Sequence, residues 1–145
     1  MFDSGRDRDV SVLLGQTLTN IDVVTEDGER TELLFTTSAG QRYRMYHVQD
    51  CCENVYLYDV CGELDDLIGS PLLMAEEVSS ANEPPIIREW GEPDSFTWTF
   101  YKFATIDGYV TLRWFGESNG YYSEEVTFEL IPPKREDGGS EQEGA

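Results

Sequence analysis

The stretch RMYHVQDCCENVYLYDVCGE, residues 44–63, holds the chain's single histidine and its three cysteines, with carboxylates between them. Three kinds of chemistry fit such a set. His47, Asp50, Cys51, Cys52, Glu53 and Cys61 all carry metal-ligating atoms. A structural zinc site, however, takes about four ligands, commonly with cysteines roughly two to four residues apart so that both thiolates converge. Adjacent residues in a strand project to opposite faces, and there is no second closely spaced cysteine pair, so no metal is expected. Nucleophilic catalysis is the second option, with His47 as the base for Cys51 and Asp50 or Glu53 orienting the imidazole. The surrounding carboxylates work against it, because negative charge disfavours the thiolate, and no oxyanion-donor motif accompanies the pair. The third option is structural: Cys52 or Cys61 packs as a small hydrophobe, Asp50 and Glu53 bond turn amides, and His47 sits in a strand pair. A vicinal Cys51–Cys52 disulfide is available but strained. On local grounds the structural option leads, and a hydrolase or transferase using His47, Cys51 and Glu53 is the alternative.

The elements that must position these residues read as strands joined by turns. TLTNIDVVT (17–25) and TELLFTT (31–37) flank EDGER, whose Asp27-Gly28 pair is a hairpin signal. QRYRMYHV (41–48) and NVYLYDV (54–60) are β-branched and aromatic, hence strands. ELDDLIG (63–69) spaces Leu64, Leu67 and Ile68 as a short helical turn ending on Gly69, and LLMAEEV after Pro71 reads as strand. SFTWTFYKFAT and YVTLRWFGE flank Asp107-Gly108; a two-residue turn there pairs Ile106 with Tyr109, Tyr101 with Trp114 and Phe103 with Leu112. A three-residue loop at Ser118–Gly120, with Gly120 left-handed, then pairs Leu112 with Val126, Val110 with Phe128 and Arg113 with Glu125. This register is chosen because a one-residue slip would turn the core residues outward. The expected fold is mainly β, α+β at most, with antiparallel sheet of about seven to eight strands and one short helix.

One face of this three-stranded meander carries Tyr101, Phe103, Val110, Leu112, Trp114, Val126 and Phe128, the expected core. The opposite face is also aromatic, with Phe96, Trp98, Phe100 and Phe115 among Lys102, Arg113, Thr111 and Ser123. A half-exposed sheet is ordinarily polar there. Either a second layer covers this face, the usual fate of an apolar surface, or Trp98 and Arg113 belong to an aromatic cleft for a ligand.

The single domain is expected over residues 10–131, with a flexible terminus at 1–9, a long exposed loop at 79–94 and a disordered acidic tail at 132–145. The formal net charge is −19, and without the tail 8 bases still face 25 acids, so the acidity belongs to the folded part. It is densest in residues 50–94, where twelve Asp and Glu face one base, Arg88. Such a surface repels phosphate, which argues against direct nucleic-acid binding. A DNA mimic that occupies a basic groove on another protein is a further reading, and solubility is the plainer one. No apolar run of about 18 residues exists to cross a membrane, the first residues lack a secretory pattern, and the cysteines make a poor disulfide framework, so a reducing, cytoplasmic setting is expected.

YHVQDCCENVYLYDVCGELDDLIGSPLLMAEEVSS and SFTWTFYKFATIDGYVTLRWFGESNGYYSE resemble a family of small proteins common in tailed bacteriophages and prophages, catalogued as a domain of unknown function. The resemblance spans about residues 10–130 and brings no established activity. It implies an infected bacterial host and an accessory role, including antagonism of host defence, by analogy. It also weights the loop-located polar pieces HVQDCCE and SNGYYSE toward binding. Ser118, Asn119, Tyr121, Tyr122 and Ser123 suit turn chemistry and recognition equally. The sequence reading is therefore a non-enzymatic binding module for a host protein or small ligand, without cofactor. Its expected contact residues are His47, Asp50, Cys51, Glu53, Ser118, Asn119, Tyr121, Tyr122 and Ser123, joined by Trp98 and Arg113.

Overall fold

The computed structural model describes residues 7–80 and 82–133. Eight antiparallel strands form one curled sheet: β1 (Leu18–Glu26), β2 (Glu29–Thr37), β3 (Arg42–Tyr46), β4 (Asn54–Cys61), β5 (Met74–Ser80), β6 (Ser95–Thr105), β7 (Gly108–Ser118) and β8 (Thr127–Ile131). Neighbours run β5-β6-β7-β4-β2-β3-β8, with β1 paired to β2 off this path. The short helix expected at 63–69 is a single 3-10 turn, Leu64–Leu67, which buries Leu67. A second 3-10 turn, Val10–Leu13, is capped by the Asp9 side chain and buries both its end residues.

The concave side of the sheet is the main core. Leu33, Phe35, Met45, Leu57, Tyr101, Phe103, Val110, Leu112, Trp114 and Phe128 meet there, closed by Val10, Leu13, Leu67 and Leu72. These are alternate residues of their strands, as a pleat with one buried face requires. Residues 7–9, expected within a flexible terminus, join this body. Asp7 bridges Glu129, and the Arg8 amide donates to the Phe128 carbonyl at 2.8 Å. Residues 1–6 and 134–145, which include most of the expected tail, lie outside the described residues.

The β1–β2 hairpin follows its sequence signal. Glu26 pairs with Glu29, and both turn residues, Asp27 (φ 52°) and Gly28 (φ 83°), take the left-handed backbone that this two-residue turn needs. The β6–β7 hairpin departs from expectation by two residues. Thr105 pairs with Gly108, Tyr101 with Leu112 and Phe103 with Val110, so the turn residues are Ile106 and Asp107. Thr105 fixes this turn, its hydroxyl accepting from the Asp107 amide at 3.1 Å and donating to the Asp66 carbonyl. Gly108 serves a different need, since a Cβ there would lie 2.6 Å from an Asp66 carboxylate oxygen. An even shift preserves the faces, so the expected core residues still point inward.

The expected meander is corrected. β7 pairs on its second side with β4, from Asn54↔Glu117 to Cys61↔Thr111, and β8 pairs with β3 through Met45↔Phe128 and its neighbours. Leu112, Val126 and Phe128 share the core, but not as cross-strand pairs. Gly120 is left-handed (φ 92°), yet within a longer connection, 119–126, that leaves β7 instead of turning back along it. Gly116 permits this path. A Cβ there would stand 2.8 Å from the Glu124 carbonyl oxygen and 2.9 Å from its Cβ, so a side chain would exclude the passing backbone.

The aromatic convex face is covered. The strand β5 runs to Ser80, and the following loop, 82–94, folds over Tyr56, Trp98 and Phe115, with Ile86, Phe96 and Phe100 packed around them. The Trp98 indole donates to the Pro84 carbonyl at 3.0 Å. Arg88 donates to the Tyr56 hydroxyl at 3.0 Å and to the Glu117 carboxylate at 2.8 Å. The covering layer is thus a loop, pinned at both ends of the patch.

Candidate functional site

His47 leaves the end of β3 and Glu53 precedes β4, so the chain between them must reverse. Glu53 organises that reversal from inside. Its carboxylate accepts from His47 Nε2 at 2.6 Å and from the amides of Asp50 at 2.7 Å and Cys51 at 3.0 Å, with its side chain fully shielded from solvent. Burial works to raise its pKa, but the Cys51 amide, the His47 ring and the remaining backbone donors outweigh it and hold the carboxyl at about 2. Gln49 closes the inside of the loop by donating to the Glu53 carbonyl at 2.7 Å. The other His47 nitrogen, Nδ1, lies 2.6 Å from the Glu125 carbonyl oxygen. That contact ties the loop to the connection after β7.

Both ring nitrogens of His47 are thus engaged, one with the Glu53 carboxylate and one with the Glu125 carbonyl, and neither is left to deprotonate a thiol. Cys51 and Cys52 form a vicinal disulfide and Cys61 is the free, exposed cysteine among the described residues. The geometry that a His47–Cys51 dyad requires is not formed. The disulfide joins neighbours and cross-links no separate parts of the fold. Cys52 and Cys61 are both exposed, so neither packs in the core as the sequence suggested.

The connection 118–125 is held by its own polar groups. Ser118 Oγ donates to Glu124 Oε2 at 2.6 Å and Thr97 Oγ1 donates to Oε1 at 2.7 Å. The Gly120 amide donates to Ser118 Oγ, the Tyr121 amide to Asn119 Oδ1 and the Glu125 amide to Ser123 Oγ. These are the local side-chain turns that Ser and Asn favour. Tyr121 stands out, 82% exposed, with its ring edge-on to Tyr122 at 4.9 Å between centroids.

A hollow of about 430 Å³ is lined by Cys52, Asn54, Glu117, Ser118 and Asn119, and by Trp90, Glu92, Pro93 and Asp94 of the covering loop. Of the predicted contact residues Ser118 and Asn119 line it, whereas His47, Asp50, Cys51, Glu53, Tyr121, Tyr122 and Ser123 do not. Trp98 and Arg113 do not belong to it. Trp98 is 2% exposed and supports the covering loop from below, so the expectation that it contacts ligand is corrected. The Arg113 guanidinium lies over the Tyr58 and Trp98 rings and 3.0 Å from Asp59, out of hydrogen-bond alignment with it. Sequence reasoning missed Trp90, Asn54 and Glu117. Trp90 was visible as the one aromatic residue in a proline-rich loop, but only the fold shows that it stands beside the end of β7.

On the other side of the connection a second hollow, about 460 Å³, opens between β5, β6 and residues 122–126. Its lining is polar: Glu77, Ser79, Ser95, Thr97, Thr99, Tyr122, Glu124, Glu125 and Val126. Among the described residues no group of three Asp, Glu, His or Cys side chains is arranged to hold a metal ion, and no helix is long and apolar enough to cross a membrane.

Residues 11–128 match a domain of unknown function, DUF7448, and the chain belongs to that family. No curated protein and no solved structure matches it.

Proposed function

We propose that this domain is a non-enzymatic binding module, and that its docking surface is the rim built by residues 47–54, 90–94 and 117–119. The partner that suits this surface is a protein presenting a basic segment. The observation that carries the reading is Trp90, 77% exposed, standing at a hollow with three carboxylates, Glu92, Asp94 and Glu117. An indole face beside carboxylates is a receptor for a guanidinium or ammonium group. The one base nearby, Arg88, bonds Glu117 and Tyr56 and stands 5.7 Å from the Trp90 ring centroid, so it already makes within the chain the guanidinium–indole contact proposed for a partner. The internally bonded loops on either side hold the rim in place without ligand, which lowers the ordering cost of binding. A cytoplasmic setting in a bacterial host, with a host factor as the partner and a phage accessory role, is the biological form of this reading that the sequence resemblance supports.

The test is titration of the full chain with an arginine-rich peptide, its lysine counterpart and an acidic control, followed by tryptophan emission. Trp98 and Trp114 are buried, so Trp90 should dominate the response. Trp90→Ala and the pair Glu92→Gln with Asp94→Asn should each weaken the basic peptides by roughly tenfold. Equal affinity of wild type and variants, or equal response to the acidic peptide, rejects the surface.

A further inference from the structure

The Cys51–Cys52 disulfide has no evident structural task in this fold. It closes a ring over a single peptide unit, and a cross-link over so short a loop removes little freedom from the unfolded chain. The turn that carries it is held by other groups. Glu53 accepts from the Cys51 amide at 3.0 Å, and Gln49 donates to the Cys51 carbonyl at 3.3 Å. Both cysteines are exposed, so an outside thiol can reach them. Cys61 is the free cysteine, but it stands at the opposite end of β4 and is not placed to exchange with the pair. In a reducing compartment, a disulfide that is exposed and braces nothing is of the transient, exchange-active kind.

Its surroundings select what can react. Of the two cysteines only Cys52 lines the hollow, beside Trp90 and the exposed carboxylates of Glu92 and Asp94. The nucleophile in thiol–disulfide exchange is a thiolate, and this rim repels an anionic one. A thiol set among positive charges is drawn in instead, and the same charges favour its thiolate form.

We propose that Cys51–Cys52 is a thiol–disulfide exchange site that captures a cysteine carried in a basic segment of the partner protein. This rests on the binding reading above and adds a covalent step to it. The partner's thiol gives its proton to solvent and the thiolate attacks Cys52 Sγ. A new S–S bond forms, the Cys51–Cys52 bond breaks, and its electron pair leaves on Cys51 Sγ. One disulfide replaces another, so no oxidant or reductant is consumed. The displaced Cys51 thiolate stays one residue away, with its backbone held by Glu53 and Gln49. Its return attack on the mixed disulfide releases the partner, so the capture is reversible.

The probes are three peptides with one cysteine flanked by arginine, serine or glutamate, mixed in the absence of air with the full disulfide-bonded chain. Samples are quenched with iodoacetamide and mapped by mass spectrometry. Each rate is divided by that peptide's rate with hydroxyethyl disulfide, which cancels intrinsic thiol reactivity. The arginine peptide should exceed the glutamate peptide by roughly tenfold or more at low salt, and added salt should narrow the gap. The map should place peptide on Cys52 and the alkyl group on Cys51. Glu92→Gln with Asp94→Asn should slow the arginine peptide several-fold. Asp22→Asn with Glu26→Gln, the same charge change at exposed positions on β1, should alter it less than about twofold. Cys51→Ser should abolish the adduct and leave amide shifts outside residues 47–54 unchanged, whereas Cys61→Ser should react as wild type does. The proposal is overturned by no mixed disulfide, by equal normalised rates, by peptide mainly on Cys51, or by equal effects of the two double variants. An arginine peptide with serine in place of cysteine separates the two readings. If it binds while the cysteine peptide forms no adduct, the exchange site is rejected and the docking surface stands. If it does not bind while the adduct forms with the expected charge preference, the surface is rejected and the exchange site stands.

Discussion

His47 shows how an apparently catalytic residue is consumed by structure. Its two nitrogens face a carboxylate and a carbonyl, at 2.6 Å each, and neither is left to act as a base. Glu53 supplies the test. Glu53→Gln replaces a charged acceptor of three donors with a neutral amide, and chemical denaturation should register a loss of about 2–3 kcal/mol. The acid limb of the stability curve carries the same information. The folded-state pKa of Glu53, about 2, lies below its ordinary value of 4.5. The stabilisation is therefore complete above pH 4.5 and is lost as pH falls toward 2. Glu53→Gln should lack this part of the acid dependence, and identical acid limbs in wild type and variant would refute the assignment.

At the scale of elements, the connection 119–126 and the loop 82–94 do the work that regular structure does elsewhere. The first passes so close to Gly116 that Gly116→Ala forces backbone apart. The expected cost is about 1–3 kcal/mol, with amide shifts concentrated in residues 118–125 and the β4–β7 pairing retained. A variant with native shifts in that segment would show that the approach is looser than drawn. The second loop is pinned by Arg88, so Arg88→Ala should speed hydrogen exchange across 84–91 and shift Trp98 emission to the red, because the indole loses its cover. Unchanged exchange there would mean that Ile86 and Pro84 alone hold the layer.

For the whole molecule, the dominant fact is a net charge of −19 on 145 residues. Like charges destabilise the compact state, and added salt screens them over roughly 10 Å at 0.1 M. Thermal stability should therefore rise as sodium chloride is raised from low to moderate concentration, whereas affinity for a basic peptide should fall over the same range. A melting temperature that falls with salt would indicate that local ion pairs, such as Arg44–Glu32 and Arg88–Glu117, outweigh the general repulsion. The opposite movement of stability and affinity is a signature of the folded molecule as a polyanion.

The sequence by itself determined what depends on near neighbours: the strands, the Asp27-Gly28 turn and the inward set of Tyr101, Phe103, Leu112 and Trp114. Alternation of side chains and left-handed turn residues are local properties, which is why a register error of two residues at the β6–β7 hairpin did no harm to the faces. Which strands lie beside β7, whether Trp98 is covered, and which acids lack partners were decided only in three dimensions. Strand pairing and burial depend on contacts between residues far apart in the chain, and these have no local signature. Gly116 is the example at smallest scale: as a letter it is one glycine among thirteen, and only the passage of Glu124 across it shows why a side chain has no room there.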